Sequence, residues 1–492
     1  MIGHVGNYKK NTFFYSFGLL RFVIYIASSL AMVACGSVPH PDLKVAAPVV
    51  WRNKPEITSL PVASNELWWR SLNDQALNET IDLAIKNNLT VAQSYERLNA
   101  ERALEKATIA SHKPRVALYL GPNSSVAFSN YRSSSAFLFG FDFNWEIPYT
   151  AKKEGELIMA KADAYKAFIG MISARASLVA EVVRVYGELR AADQKIRSLR
   201  KIAAYQSGIV EMFERSESLG AASLEDLSAV RQKQVEVDAA LSEMLVARES
   251  AIQRLDVLCG LDAPLERWSD LADISWSLER AQITPIAVPA DLIMERPDVQ
   301  LSISNVMHAA GAVGVSESEL YPKIGLEGAV LYSGTINEKQ GVNTPEGLIK
   351  FLAPSLRLPI VDWGMRRDQL NASEAELRGA ILSYRDTVLH AIAETEIAIA
   401  NFNAMNSRLI QAENEVRKLE ASAKRQQQGL HAGYLSPLEA FRAFAKMQEL
   451  KLAHADNQSL WLSAFAVVNK AQTNMAFEKA RNAEELPEAL IR

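Results

Sequence analysis

The chain has 492 residues, a hydrophobic fraction of 49% and a formal net charge of −4, so it is long enough for several domains, and its charge gives no electrostatic reason to expect nucleic acid as a partner. Its two cysteines, Cys35 and Cys259, exclude a disulfide framework within one domain. Beyond the N-terminal region no stretch reaches the roughly 20 consecutive apolar residues that a spanning helix needs. Any membrane crossing is therefore expected to use strands.

The N-terminus has the pattern of a secretory signal peptide. Lys9 and Lys10 precede an apolar run that ends in small residues, which is too short and too poorly flanked for a spanning helix. The letters MVACGS resemble the lipobox of bacterial lipoproteins. We predict a signal peptide over residues 1–34, acylation of Cys35 and an extended, proline-rich tether over residues 35–66. Gly36 then implies sorting to the outer membrane. An ordinary signal peptide with a chance cysteine is the alternative.

Two long spans without proline predict two very long helices. They run from about residue 151 to 214 and from about residue 362 to 429, and at a rise of about 1.5 Å per residue they would be about 95 and 100 Å long. Helices of this length pack as coiled coils or helical tubes. A soluble coiled-coil rod is the alternative. The first span repeats apolar residues at helical spacing, namely Leu178, Val182, Val185, Leu189, Ile196, Leu199 and Ile202.

Each long helix is followed by a turn of the same kind. The turns, at about residues 215–223 and 430–437, contain Gly220 with Ser223 and Gly433 with Ser436. Glycine closes a helix in the left-handed conformation and serine caps the next one. The corresponding turn residues lie about 210 residues apart. This spacing predicts two structural repeats, at 67–270 and 290–474, with a linker over 271–289 and a tail over 475–492.

Two pairs of strands are predicted, within about residues 115–148 and 323–360. The letters FLFGFDFNWEI alternate over a length that matches a tilted membrane strand. The segment VALYLG alternates poorly, so its lipid face is left open, and Pro354 predicts a bulge. A half-buried soluble sheet is the alternative. The aromatic residues predicted to face lipid are Phe137, Phe139, Phe141, Phe143 and Trp145.

Four strands cannot close a barrel on their own. The smallest single-chain barrels have about eight strands, and open edges are not tolerated in lipid. Closure therefore requires several chains. Three copies would supply twelve strands, so a homotrimer is our hypothesis, although the strand count permits other multiples.

Several segments resemble the TolC-like outer-membrane efflux factors, in particular their lipoprotein branch. The matching segments are LWWRSLNDQALNETIDLAIKNNLTVAQSYERL, LIMERPDVQLSISNVMHAAGAVGVSESELYPKIGLEG, LRLPIVDWGMRRDQL and HAGYLSPLEA. The resemblance implies a mixed α/β membrane protein. Its fold would be a trimeric, 12-stranded outer-membrane β-barrel, four strands per chain, that continues into a long periplasmic α-helical barrel.

The resemblance also implies a function and partners. The protein would be the exit channel of a tripartite efflux system, lipid-anchored in the outer membrane with a large periplasmic portion. A periplasmic adaptor protein would join it to an inner-membrane transporter, commonly of the resistance-nodulation-division type. An outer-membrane duct for type I protein secretion is the alternative within the family.

The turns would then be functional sites. Gly220, Ser223, Gly433 and Ser436 would contact the adaptor, although plain helix-turn chemistry explains each residue equally well. By position in the family, Glu439 and Arg442 would form the constricting rings of the closed pore. A surface ion pair within one helix is the alternative for these two residues.

An enzyme is not expected. The seven histidines are scattered without metal-ligand spacing, and no phosphate-binding glycine loop or nucleophile elbow is present. The sequence therefore predicts neither a cofactor nor a metal. A lipid-anchored structural coiled-coil protein is the remaining alternative of a different class, although it leaves the aromatic strand unexplained.

Overall fold

The computed structural model describes residues 38–43, 52, 65–122, 135–148, 151–262, 268, 276, 293–337, 341–342, 347–431 and 434–471. The predicted signal peptide, Cys35, Gly433, the tail and most of the tether and of the linker lie outside the described residues. Among the described helices, none combines the length and the apolar character that crossing a bilayer requires.

Seven α-helices and five strands follow a short 3-10 helix at Asn65–Leu72 within the described ranges. In chain order they are α1 (Gln75–Asn87), α2 (Leu89–Ser111), β1 (Arg115–Pro122), β2 (Ser135–Glu146), α3 (Ala151–Ser218), α4 (Leu224–Leu258), α5 (Pro297–Ser318), β3 (Lys323–Asn337), β4 (Gly341–Val342), β5 (Gly347–Arg357), α6 (Met365–His431) and α7 (Pro437–Ala471). The two very long helices predicted from the proline-free spans are confirmed as α3 and α6.

The chain divides into two compact units. The first, which we call the strand unit, comprises residues 1–44, 99–166 and 302–384; the second, the helical unit, comprises residues 45–98, 167–301 and 385–492. Each unit takes segments from both predicted repeats. The repeat boundaries at 67–270 and 290–474 therefore stay a prediction.

The strand unit contains one antiparallel sheet. Its long strands lie in the order β1-β2-β3-β5, and the two-residue β4 pairs with the far end of β3. Residues 333–347 have the polar, glycine-containing composition of a loop, but the first five of them belong to β3. β3 continues through Asn337, because Ile336 and Asn337 find ladder partners in Val342 and Gly341.

The predicted bulge at Pro354 is also wrong. β5 keeps one register along β3, from Lys323 opposite Arg357 to Ser333 opposite Gly347, and Pro354 lies opposite Leu326 within it. Among the described strands β5 is an edge strand. At an edge, alternate backbone N–H groups point away from the neighbour, so a proline there need not remove a ladder bond.

The register gives the sheet one apolar face. Directly opposed residues share a face, so Leu118 of β1, Phe141 of β2 and Val330 of β3 lie side by side. This register assigns the face of β1 that the sequence left open. The large apolar residues exposed on this face are Val116, Leu118, Leu120, Phe139, Phe141, Val330, Tyr332, Leu348, Leu352 and Leu356. Polar and charged residues are concentrated on the opposite face, among them Asp142, Asn144 and Glu146.

The aromatic residues of β2 differ in their exposure. Phe139 is 45% exposed and Phe141 is 56% exposed, whereas Phe143 and Trp145 are partly buried. The indole N–H of Trp145 donates to the carbonyl of His112 at 3.0 Å. Phe137 belongs to β2, but its side chain lies outside the description. That these five residues contact lipid stays a prediction.

The helical unit is built on a large apolar core. All seven apolar residues that the sequence spaced along α3 are buried, from Leu178 to Ile202. Trp461 and Phe465 of α7 stack with ring centroids 5.2 Å apart, and Phe402 of α6 packs against both rings. Such aromatic pairs stabilise the fold by more than the burial of their apolar area alone.

The apolar face leads to a test of its environment. We expect Phe141→Arg to destabilise the inserted protein by about 2–4 kcal/mol if this position lies at mid-bilayer. The measurement is the urea midpoint of the folded protein in outer-membrane vesicles. Ala353→Arg is the matched control, because Ala353 is exposed on the opposite face beside Glu327. Equal stability of the two variants would rule out a lipid-facing Phe141.

Candidate functional site

The first helical turn is closed by a glycine in the left-handed conformation. Gly220 has a φ of +74°; its N–H donates to the carbonyl of Glu217 at 2.8 Å, and the N–H of Ala221 donates to the carbonyl of Ser216 at 2.7 Å. The two bonds satisfy carbonyls at the end of α3 that have no partner within the helix. The predicted closure at Gly220 is confirmed.

A serine caps each returning helix. The amide of Asp226 donates to the hydroxyl of Ser223 at 3.0 Å, and the amide of Ser223 donates to the carboxylate of Asp226 at 3.2 Å. The corresponding bonds between Ser436 and Glu439 are 3.3 and 3.1 Å long. Both predicted caps are confirmed, and α7 begins at Pro437, the favoured first helical position.

The carboxylates of these caps were missed at the sequence level. Asp226 and Glu439 each complete a capping box, in which serine and an acidic residue three positions later satisfy each other's backbone amides. The signal is present in the sequence as SLED and SPLE. Its consequence is that Glu439 is already bonded within its own chain.

The caps also determine the charge of both acids. Hydrogen bonds from the hydroxyl and the amide of Ser223 lower the pKa of Asp226, and those from the amide and the hydroxyl of Ser436 lower the pKa of Glu439. Because the folded pKa is depressed, the stabilisation is present above the unfolded pKa and is lost as the pH falls through the folded pKa. Both carboxylates are thus anionic at neutral pH.

Glu439 does not pair with Arg442 in the described part of the chain. The side chain of Arg442 is exposed and makes no ion pair there, while Glu439 bonds to Ser436. The described residues thus show no ion pair between the two side chains, and their role as constricting rings stays a prediction.

Aromatic packing fixes α7 behind the second turn. The ring of Tyr205 on α3 stacks on Phe444 at 5.4 Å and lies 5.9 Å from Phe441. A Cβ on Gly208 would come within 2.9 Å of the Phe441 ring, so a larger residue there would push α7 away. Since Phe441 precedes Arg442, this contact also sets the direction in which Arg442 leaves the helix.

Ion pairs tie each long helix to the helix that returns from its turn. Arg231 of α4 lies 2.7 Å from Glu214 of α3, and Lys451 of α7 lies 2.6 Å from Glu420 of α6. Exposed pairs of this kind contribute up to about 1 kcal/mol each. Their main effect is to keep the two helices of each hairpin in register near the turn.

Residues 38–43 of the N-terminal tether pack within the strand unit. Val38 is 2% exposed, and a Cβ on Gly314 would come within 2.8 Å of its side chain and 3.6 Å of the carbonyl of Ala151. The hydroxyl of the buried Tyr384 donates to the carbonyl of Leu43 at 3.0 Å. Burial raises the pKa of Tyr384, so this hydroxyl keeps its proton at neutral pH.

The segment RPDV starts α5 with a buried arginine. The Arg296 guanidinium bonds to Asp298 at 2.8 and 3.0 Å, to Glu394 at 2.9 Å and to the hydroxyl of Thr395 at 3.1 Å. Burial lowers the pKa of Arg296, but these carboxylates outweigh burial and raise it overall. This network fastens the beginning of α5 to α6.

Among the residues that the structure describes, no group of three or more His, Cys, Asp or Glu side chains is placed to hold a metal ion. The buried thiol of Cys259 lies 3.8 Å from the carbonyl of Thr80, inside the core of the helical unit. It is a packing residue.

A family model described as "Outer membrane efflux protein" matches residues 80–261 and 288–472. Nodulation protein T of Rhizobium leguminosarum bv. trifolii is 23% identical over 470 residues, which cover 92% of this chain and 97% of that protein. Toxin and drug export protein A of Aggregatibacter actinomycetemcomitans is 23% identical over 404 residues, or 81% of this chain and 85% of its own length.

Solved structures show the same fold. The CmeC outer membrane channel of Campylobacter jejuni superimposes with a TM-score of 0.74 at 17% identity, over 92% of this chain and 98% of that chain. The MtrE outer membrane channel of Neisseria gonorrhoeae, in its open state, gives 0.72 at 17% identity, over 90% and 98%.

These matches confirm the predicted fold class and the predicted outer-membrane efflux role, whereas the roles of individual turn residues and of Cys35 stay predictions. The family model covers most of the chain in two blocks of similar length, one in each predicted repeat. The chain belongs to the outer membrane efflux protein family.

Proposed function

We propose that three copies of this chain form a passive exit duct in the outer membrane. The duct would receive drugs or other small molecules from a periplasmic adaptor and an inner-membrane transporter. The observation that carries the proposal is the sheet of the strand unit, which has an exposed apolar face and two outer strands.

The partner is best defined by the family. Its members commonly deliver cargo from a resistance-nodulation-division transporter, so we take a proton-driven pump of that type as the inner-membrane partner and an adaptor as the periplasmic link between the two.

The edges of the sheet support the trimer. Among the described strands, nothing pairs with the outer side of β1 or of β5, and unpaired backbone N–H and C=O groups are too costly to leave in lipid. Four long strands are too few to close on themselves, since the smallest single-chain barrels have about eight. If β5 of one subunit pairs with β1 of the next, three copies give a closed wall of twelve strands.

The trimer is tested by electrophoresis without heating. We expect the detergent-extracted protein to migrate at about three times the apparent mass of the heated chain, because a closed barrel holds its subunits together by strand pairing. A chain that runs as a monomer before heating, at several detergent concentrations, would contradict the proposal and favour a lipid-anchored coiled-coil protein.

The turns are the proposed contact surface for the adaptor. Gly220 and Ser223 are flanked by Leu219 and Leu224, which are 82% and 72% exposed. In the second turn, Tyr434 between Gly433 and Ser436 is 89% exposed. Apolar side chains left open at the ends of helical hairpins are typical of a surface that another protein covers.

A type I secretion duct is the second candidate. It is favoured by one observation, the similarity to a relative whose name includes toxin export. Crosslinking the full-length chain in cells separates the two candidates, because the transporter recovered with it would be a drug pump in one case and a protein exporter in the other.

The closed pore is proposed to depend on ion pairs between subunits. Arg442 is exposed and has no ion pair within the described part of its own chain, and Glu439 is held anionic by its cap. Three copies around an axis would bring Arg442 of one subunit towards Glu439 of the next. Such pairs would hold the turns together until a partner separates them.

The gate is tested by conductance in planar bilayers. We expect Glu439→Gln with Arg442→Ala to raise the closed-state conductance several-fold, because glutamine keeps the capping bond while both charges are removed. Asp226→Ala is the matched control, since it removes the other cap and leaves the proposed pairs intact. The same conductance in the double variant and the wild type would eliminate these residues as a gate.

The lipid anchor is proposed to sit at Cys35. Val38 packs against Gly314 and lies close to Ala151. Ala151 is the first residue of α3, and α3 begins a few residues after β2 ends. Three residues of extended chain reach at most about 11 Å. An acylated Cys35 would therefore remain near the end of the sheet that adjoins the helices, where lipid would begin.

Acylation is tested by labelling cells with radioactive palmitate. Cys35→Ser is expected to lose the label completely, because serine offers no thiol for acylation, while Cys259→Ser keeps it. Label that persists in the mature Cys35→Ser protein would exclude the anchor at this position.

A further inference from the structure

The polar face of the sheet carries a group of cations at the end that adjoins the helices. Arg115 lies opposite Asn144, and Lys323 lies opposite Arg357. Because directly opposed residues and residues two apart share a face, these cations lie on the same face as Glu146. We call Arg115, Lys323 and Arg357 the basic collar.

The collar is not arranged for the stability of the sheet. Like charges directly opposite each other destabilise a strand pair, yet Lys323 faces Arg357 across the β3–β5 ladder. Glu319 balances Lys323 at 2.6 Å. Arg115 and Arg357 are exposed and make no ion pair within the described residues, so positive charge remains available to a ligand.

The nearby carboxylates do not cancel this charge. Glu146 is bonded to Lys152 at 2.9 Å, and Lys323 and Arg357 attract the same carboxylate. Glu327 is the other acid on this part of the face. Glu146 and Glu327 lie among four cations, the three of the collar and Lys152, so donors outnumber these two carboxylates. Arginine offers a planar fork suited to an oxyanion.

A cavity lies within this group of residues. It has a volume of about 90 Å³ and is lined by Asn144, Glu146, Lys323, Glu327, Ser355 and Arg357. Ammonium, guanidinium, hydroxyl and amide groups can all donate hydrogen bonds to an anion. Its size suits a single carboxylate, sulfonate or phosphate group and not a whole drug-sized molecule.

We propose that the basic collar binds the anionic groups of solutes that pass through the duct. The inference rests on the proposed function, because the polar face becomes the inner wall only when three copies close the barrel. Nine collar cations would then surround one passage, and a narrow passage with low-dielectric walls strengthens the potential that they produce. The collar would favour anionic cargo over cationic cargo of the same size.

The proposal is tested by equilibrium binding of pyranine, a soluble fluorescent trisulfonate, to the full-length trimer in neutral detergent. We expect the fluorescence anisotropy to show binding that weakens between about 0.01 and 1 M KCl, as the Debye length falls from about 30 to 3 Å. The variant with Arg115→Gln, Lys323→Gln and Arg357→Gln should bind about tenfold more weakly. Lys201→Gln with Lys424→Gln and Arg425→Gln is the matched control, since these exposed cations lie on α3 and α6 in the helical unit.

A second variant covers the case in which the triple variant fails to assemble. Glu146→Gln with Glu327→Gln keeps every collar cation and removes both carboxylates, so pyranine should bind several-fold more tightly. Unchanged or weaker binding by this variant, or an equal loss in the control, would overturn the proposal.

Two further outcomes separate the alternatives. Displacement of pyranine by phosphatidylglycerol in mixed micelles, with none by inorganic sulfate, would move the site to a lipid headgroup and also overturn the proposal. If the trimer forms and conducts but the collar variants bind alike, the collar inference fails and the duct stands. If no trimer forms, the result contradicts the proposed duct itself.

Discussion

The structure depends on the need of every backbone amide and carbonyl in lipid to find a hydrogen-bond partner. The four long strands of the strand unit satisfy these groups between them, but among the described strands nothing pairs with the outer sides of β1 and β5. The other features follow from this incomplete closure. In the proposed trimer, lipid would cover the apolar face that is exposed in one chain, and the edge strands that would invite aggregation in water would become the contacts between subunits.

The helical turns also contain backbone groups that need hydrogen-bond partners, although these turns are in water and not in lipid. Each long helix ends with carbonyls that have no partner, and each returning helix begins with free amides. Gly220 and the serine caps satisfy these groups within the turn itself. The turns therefore keep their shape without help from a neighbour, which leaves their exposed leucines and Tyr434 available to another protein.

Glu439 combines an observed structural role with the proposed role in the gate. Its carboxylate caps α7, and the same bonds keep it charged. The adjacent aromatic contacts of Phe441 and Phe444 with Tyr205 fix the helix that carries Arg442. In the proposed gate, charged groups that are held in place before the subunits meet would lose less entropy on pairing.

Sequence alone determined the elements of this protein. Proline-free spans located α3 and α6, alternation located β2, and glycine with serine located the turns, because each of these patterns acts through contacts between residues close in the chain. The family could be identified for the same reason, since its motifs lie at helix starts and turns. Even the missed role of Asp226 was visible as a local capping pattern.

The tertiary structure decided what depends on a distant partner. The register of β1 with β2 decides which side of β1 joins the apolar face of the sheet, and Pro354 is accommodated without a bulge because β5 is an edge strand among the described strands. Val38 packs against Gly314, and Lys323 lies opposite Arg357. Both contacts join residues that are far apart in the chain. A sequence pattern indicates which residues alternate along a strand. Which distant residues they contact is decided only by strand pairing and packing.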